Sequence, residues 1–315
     1  MRLQRTMFNA LAYSLALIAL CAFAGAADVN YRTSVEKWRQ EYEAKLKSDD
    51  GWLTVAGLFW LHDGDNRFGA DPLNDIVLPA AYVPPEGGTF SVHDGKTVVH
   101  VNRGVRITMN DKIADGVELH PDSPLERLRI GDLTMYLHAS GARYGIRVKD
   151  KNSKFRRQFT GLHWFPVDDS YRLSAHYVPY QPPKQIEIQN VLGDFDKTEI
   201  VGYVVFSLQG KEYRLDAEQD EPGTLSFVFR DLTSGKETYP AARFLDTDLP
   251  AASSTNASKA LASNVNGAVV LDFNKAYNPP CAYNPYTTCP LPTAGNRLRV
   301  AIPAGEKIYK PDHGQ

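Results

Sequence analysis

Beyond Asp50-Gly51 the chain reads as a succession of short apolar runs separated by turn residues, and this texture limits its fold more than any other feature. Strands are predicted at Asp75 to Leu78, Thr97 to Val101, Val105 to Met109, Leu133 to His138 and Arg143 to Val148. They continue at Tyr171 to Tyr177, Gln185 to Val191, Gly202 to Leu208, Glu212 to Leu215, Leu225 to Phe229, Ala268 to Phe273 and Leu298 to Ile302. Asp63-Gly64, Glu86-Gly87-Gly88 and Asp94-Gly95 supply turns between them. Closely spaced short strands pair antiparallel, because a hairpin needs a few linking residues and a parallel crossover a dozen or more. The expected fold is mainly β, an antiparallel sandwich or barrel-like arrangement of two packed β regions. Strands do not alternate with helices, which argues against a nucleotide-binding α/β sheet.

One helix is predicted, N-terminal and amphipathic. Thr33-Ser34-Val35-Glu36 is a capping-box pattern, and Val35, Trp38, Tyr42 and Leu46 then share one helical face over residues 33–48. The polar run Lys149-Asp150-Lys151-Asn152-Ser153-Lys154 marks a break between two β regions. The expected organisation is a leader over 1–27, a helical segment over 28–50, a first β region over 51–150 and a second over 151–315. An Ala/Ser/Asn-rich segment between Asp246 and Asn266 reads as a surface loop.

Arg2 and Arg5 precede an uncharged stretch from Thr6 to Ala27 that ends in Ala24-Gly25-Ala26-Ala27. A positive start, a short apolar centre and small residues before a cleavage point are the parts of a secretory signal peptide. The expectation is a periplasmic or secreted protein with no stable membrane span after cleavage. A retained anchor and lipidation at Cys21 are the competing readings. Removal of the leader deletes Cys21 and leaves Cys281 and Cys289, which in an exported chain most simply form a disulfide. Such a short loop gains only about 2.5 kcal/mol from the bond, enough to shape one loop and not to hold up the fold.

Lys+Arg number 35 against 37 Asp+Glu, so the near-neutral chain lacks the basic footprint of a nucleic-acid binder. No histidine or cysteine pair has metal-ligand spacing, and no nucleotide or G-x-S-x-G fingerprint occurs, so no metal or cofactor is expected. Three stretches are distinctive. They are Gly51-Trp52-Leu53-Thr54-Val55-Ala56-Gly57-Leu58-Phe59-Trp60-Leu61, then Arg143-Tyr144-Gly145-Ile146-Arg147-Val148-Lys149-Asp150 with Phe165-Pro166-Val167-Asp168, and finally Val270 to Cys281 continuing through Cys289-Pro290-Leu291-Pro292 to Asn296-Arg297-Leu298. Together these resemble the bacterial and archaeal family catalogued as domain of unknown function 1684, a likeness that spans nearly all of the mature chain and carries no mechanism with it. A second, local likeness at Phe68 to Pro79 is to the opening strands of forkhead-associated domains. There Ala70 replaces the arginine that follows the glycine, so the resemblance implies a sandwich and not phosphopeptide binding.

Candidate site residues follow from local chemistry. Arg143, Tyr144 and Arg147 lie on one predicted strand, and residues 143 and 147 share a face that could clamp a carboxylate or phosphate. Arg243, Asn274, Tyr277 and Asn278 add ligand-binding groups, and Glu237 and Asp272 are candidate acid/base carboxylates. The competing reading of each is a turn cap, a surface ion pair or a solvated face. The leading expectation is a binding or accessory protein for a small anionic or cell-envelope-derived ligand, a small molecule or glycan. The alternatives are a hydrolase using Glu237 or Asp272, and a structural envelope protein.

Overall fold

The computed structural model describes residues 29–123, 126–250 and 266–310. The leader at 1–27 and most of the Ala/Ser/Asn-rich segment lie outside the described residues. Within them the protein is mainly β, with several antiparallel sheets, one N-terminal helix over 29–47 and no closed barrel.

The first β region is a two-sheet sandwich. One sheet runs in the order Val55–Trp60, Arg143–Asp150, Leu133–Ser140, Leu128–Ile130, Thr108–Met109 and Lys112–Ile113. The other runs Ile76–Val77, Gly64–Gly69, Gly88–His93, Lys96–Val101 and Val117–Leu119. Phe68, Phe90 and Val99 of the second sheet pack against Leu128, Met135, Leu137, Ile146 and Val148 of the first. Side chains alternate along a strand, so burying Met135 and Leu137 turns Tyr136 and His138 to the opposite face. Burying Ile146 and Val148 does the same for Arg147 and Lys149, and Tyr136 stands opposite Arg147 in the register. This outer face is covered by the second β region.

The second region pairs Lys211–Ala217, Phe195–Leu208, Arg172–Gln189 and Gly267–Asp272 in one sheet, and Thr224–Phe229 with Arg243–Asp248 in a hairpin. Its core joins Tyr177, Phe206, Leu215, Phe227, Phe229, Leu271 and Phe273. The two strands predicted at 171–177 and 185–191 are one continuous strand. Its register shifts between Pro179 and Lys184, where prolines supply no ladder donor. Leu298 to Ile302 forms no strand; it crosses the end of the hairpin through Leu298 N–H to Arg230 O at 2.7 Å and Leu232 N–H to Val300 O at 3.0 Å. Gly64–Gly69, Gly88–His93 and Arg243–Asp248 are strands that glycine and charged residues hid from the pattern. The pair Gly64–Gly69 with Ile76–Val77 is parallel.

The helix begins upstream of the expected capping box. Thr33 Oγ1 donates to Val29 O and Ser34 Oγ to Tyr31 O, so both hydroxyls bond back within the helix. Val35, Arg39 and Leu46 are buried, and the helix lies against the C-terminal segment. Tyr31 OH donates to Asp272 Oδ1 at 2.7 Å, Arg39 Nη2 to Asn274 O at 3.2 Å and Tyr42 OH to Asn278 O at 3.4 Å. No helix among the described residues is long and apolar enough to cross a membrane.

Candidate functional site

The residues singled out from the sequence do not gather at one point. Arg143 stacks over Trp60 at 3.9 Å and pairs with Asp194, both at the surface end of their strands. Tyr144 packs against the sandwich core. Glu237 is exposed on a turn in which only its backbone is engaged, its carbonyl accepting Ile308 N–H at 2.8 Å. Asp272 caps the turn Phe273–Lys275 through Asn274 N–H and accepts the Tyr31 hydroxyl. Burial, then the Asp272 bond, pushes that phenol well above its usual range. Asn274 clips Asp168, accepting its N–H at 2.9 Å and donating to its carbonyl at 2.8 Å. These are positioning contacts, and they leave Glu237 and Asp272 in different networks.

Arg243 is fully buried. Its guanidinium pairs with Asp231 and donates to the carbonyls of Ile302 and Ala304, so it is a strut and not a ligand clamp. Asn278 serves a residue the sequence did not flag, Glu306. Asn278 N–H and Nδ2 each donate to the Glu306 carboxyl at 2.8 Å, and Tyr283 OH bridges both its oxygens at 2.8 and 2.9 Å. Burial raises the Glu306 carboxyl to about 7, although these donors and Arg243 favour its charged form. Gly305 makes the approach possible: its φ is +81°, and a Cβ there would meet Ala276 O at 2.4 Å.

The expected disulfide is not formed. Cys281 and Cys289 are free thiols in hydrogen-bond contact, with Cys281 N–H also donating to Cys289 Sγ at 3.2 Å. That contact pushes the Cys281 thiol up. Burial opposes ionisation of Cys289, but the Cys281 donors bring its thiol down. The loop is fixed without the bond. Tyr239 OH donates to Cys281 O at 3.0 Å, Asn284 Nδ2 to Trp52 O at 3.2 Å and Val191 N–H to Cys289 O at 3.0 Å.

One predicted residue does line a cavity. Tyr277 lies in a cleft of about 560 Å³ between the helix and the second β region, with Trp38, Tyr42, Trp52 and Phe244. Trp38 stacks on Tyr42 at 5.5 Å, and Tyr42 meets Tyr277 at 4.9 Å, giving a continuous aromatic wall. Glu41, Asp50, Asp220 and Asp246 face the same space against a single cation, Lys45. Tyr277 OH donates to Asp246 Oδ2 at 2.8 Å, and backbone bonds between Tyr277 and Phe244 fix that geometry. Burial raises the Asp246 carboxyl above its usual range; burial and then the Asp246 charge do the same to Asp220. Desolvation, then the Asp220 charge, raises half-buried Glu218 to about 7. No spacing in the sequence links these carboxylates, because they come from the helix (Glu41), the turn after it (Asp50), the segment with Glu218 and Asp220, and the strand that carries Asp246.

Residues 157–307 match the family described as "Protein of unknown function (DUF1684)", in keeping with the resemblance read from the sequence. Among solved structures it is similar to an uncharacterized protein of Haloarcula marismortui determined by solution NMR. The identity is 32%, over 48% of this chain and 78% of that one, with a TM-score of 0.38. The comparison with curated proteins gave no match. The likeness to forkhead-associated domains is not borne out. In this protein Phe68 to Leu78 forms a tight parallel turn that Asp75 closes on the Arg67 N–H at 2.8 Å.

Proposed function

We propose that this is an exported binding protein whose ligand is a neutral or amine-bearing glycan of the cell envelope, held in the cleft of Trp38, Tyr42, Trp52, Tyr277 and Asp246. The observation that carries the reading is the meeting of an aromatic wall and several carboxylates in one cavity of about 560 Å³. Aromatic faces stack on the apolar face of a sugar ring or on a cation, and carboxylates accept from hydroxyl and ammonium groups. The excess of carboxylates over Lys45 disfavours an anionic ligand here, which sharpens the ligand class expected from the sequence.

Two tryptophans in the wall supply the assay. Titration with chitosan oligosaccharides is expected to change the intrinsic fluorescence saturably. Tyr277→Ala or Asp246→Asn is expected to weaken binding at least tenfold. No change with either chitosan or acetylated chitin oligosaccharides sinks the proposal.

Hydrolysis at this cleft is a second reading, favoured by the raised carboxyls of Asp246 and Asp220, since a carboxyl that holds its proton more tightly than usual is better suited to act as a general acid. It requires release of reducing ends from the same oligosaccharides and loss of that release in Asp246→Asn.

A further inference from the structure

The two β regions meet at a second polar cluster, none of whose members lines the cleft. From the first region come Asp122, His138 and Arg147; from the second comes Thr288. His138 is 7% exposed, with Nδ1 2.7 Å from Asp122 Oδ1 and Nε2 2.9 Å from Thr288 Oγ1. Arg147 is 4% exposed, and its Nη2 lies 3.2 Å from the same hydroxyl oxygen.

The partners fix the protons. Burial opposes ionisation of Asp122, but the His138 bond, helped by Ala139 N–H, holds its carboxyl below the usual range. A carboxylate only accepts, so His138 Nδ1 carries a hydrogen; in the neutral imidazole Nε2 is then the acceptor, and Thr288 O–H donates to it. Arg147 can only donate, so it occupies a lone pair of Thr288 Oγ1. The outcome is a hydroxyl whose proton points at an imidazole, an imidazole held by a carboxylate, and a guanidinium where an oxyanion would form. That is the logic of a nucleophile–base–orienter relay.

Two further features favour chemistry over a simple strut. Among the described residues Thr288 is the only hydrogen-bond partner of the Arg147 guanidinium, whereas Arg243 has a carboxylate and two carbonyls. The surroundings are also cationic. Arg127 stacks over Tyr136 at 3.9 Å, and Lys149 lies 5.7 Å from the Trp52 ring. Burial, then Arg127 and Arg147, lower the Lys149 ammonium against the opposing pull of Asp50. Thr288 itself is only half-buried, and Asp122 is half-exposed, so the relay opens to solvent.

We propose that Thr288 is a nucleophile for acyl transfer, with His138 as its general base, Arg147 as the oxyanion donor and Asp122 as a positioning residue, acting on carboxylic esters that carry a negative charge. Thr288 Oγ1 bonds to the ester carbonyl carbon while its proton passes to His138 Nε2. Breaking the bond to the leaving oxygen returns that proton to the departing alcohol. Water, deprotonated by the same imidazole, then cleaves the Thr288 ester and releases a carboxylic acid.

The test treats the full chain with a fluorophosphonate, which loses fluoride as its phosphorus bonds to an activated hydroxyl, and locates the adduct by peptide mass spectrometry. Turnover of mono-p-nitrophenyl succinate is measured beside p-nitrophenyl acetate. The expected result is an adduct on Thr288 and faster turnover of the anionic ester. Thr288→Ser is expected to keep both, whereas His138→Gln is expected to lose about 10²- to 10⁴-fold in turnover. Asp122→Asn is expected to lower kcat and move the pH profile without abolishing the adduct. An unlabelled Thr288 without ester turnover, or turnover that survives in Thr288→Val, overturns the proposal. Oligosaccharide binding at the cleft is read separately, so either proposal can fail alone.

Discussion

Arg243 and Arg147 are both buried guanidinium groups on β-strands, yet their surroundings differ in kind. Arg243 sits in the core of the second region with a buried carboxylate, two carbonyl acceptors and the Phe229 ring at 5.2 Å. Arg147 sits at the junction of the regions with, among the described residues, one hydroxyl partner and no carboxylate ion pair. Burying a charge is costly unless it is paired and hydrogen-bonded. Both leave Nε without an acceptor, but Arg243 has its charge paired with Asp231 and reads as architecture. Arg147, whose guanidinium meets a hydroxyl alone, stands where a ligand or a developing charge can complete its shell.

Four measurements break or sharpen this contrast. The largest effect is expected from Arg243→Met, which strands Asp231 in the core. Urea denaturation should show a loss of about 3–5 kcal/mol, and a smaller cost than that of Arg147→Met would reverse the contrast. Next comes Glu306→Gln, which sets an amide against three donors and should cost about 1–3 kcal/mol. Its pH signature is separate. The folded carboxyl titrates at about 7 against 4.5 when unfolded, so the folded state holds its proton more tightly. That contribution to stability is complete below about pH 4.5, is lost as pH rises to about 7 and is absent beyond it; Glu306→Gln should flatten that part of a pH-dependent melting profile. Arg147→Met should change stability by no more than about 1 kcal/mol, because an apolar side chain replaces a charge without a carboxylate partner, while Thr288 labelling disappears. Arg143→Ala should be smallest, within about 1 kcal/mol, since its pairing with Asp194 is exposed.

The fold was legible wherever one period dominated. Val35, Trp38, Tyr42 and Leu46 announced the helix, and alternating runs such as Leu133 to His138 announced the strands. Strands rich in glycine or charge, Gly64–Gly69 and Arg243–Asp248, were invisible because their pairing is set by neighbours and not by their own residues. The site was legible only by residue type. Arg147, Arg243, Tyr277 and Asn278 stand out as residue types, but what each faces depends on partners far along the chain. His138 and Thr288 are 150 positions apart, and Asn278 and Glu306 are 28 apart across a segment with no repeating pattern. The cleft carboxylates Asp220 and Asp246 carry no motif at all.

The helix over 29–47 has a consequence for how the chain is made. Its first tyrosine bonds to Asp272, 241 positions later, and Arg39 and Tyr42 find partners 235 and 236 positions on. During synthesis at about 5–20 residues per second, the helix emerges on the order of ten to fifty seconds before its seat exists. In that interval Trp38 and Tyr42 have no wall to join. The helix is thus made early and docks late, and the cleft is completed only when the C-terminal segment closes over it.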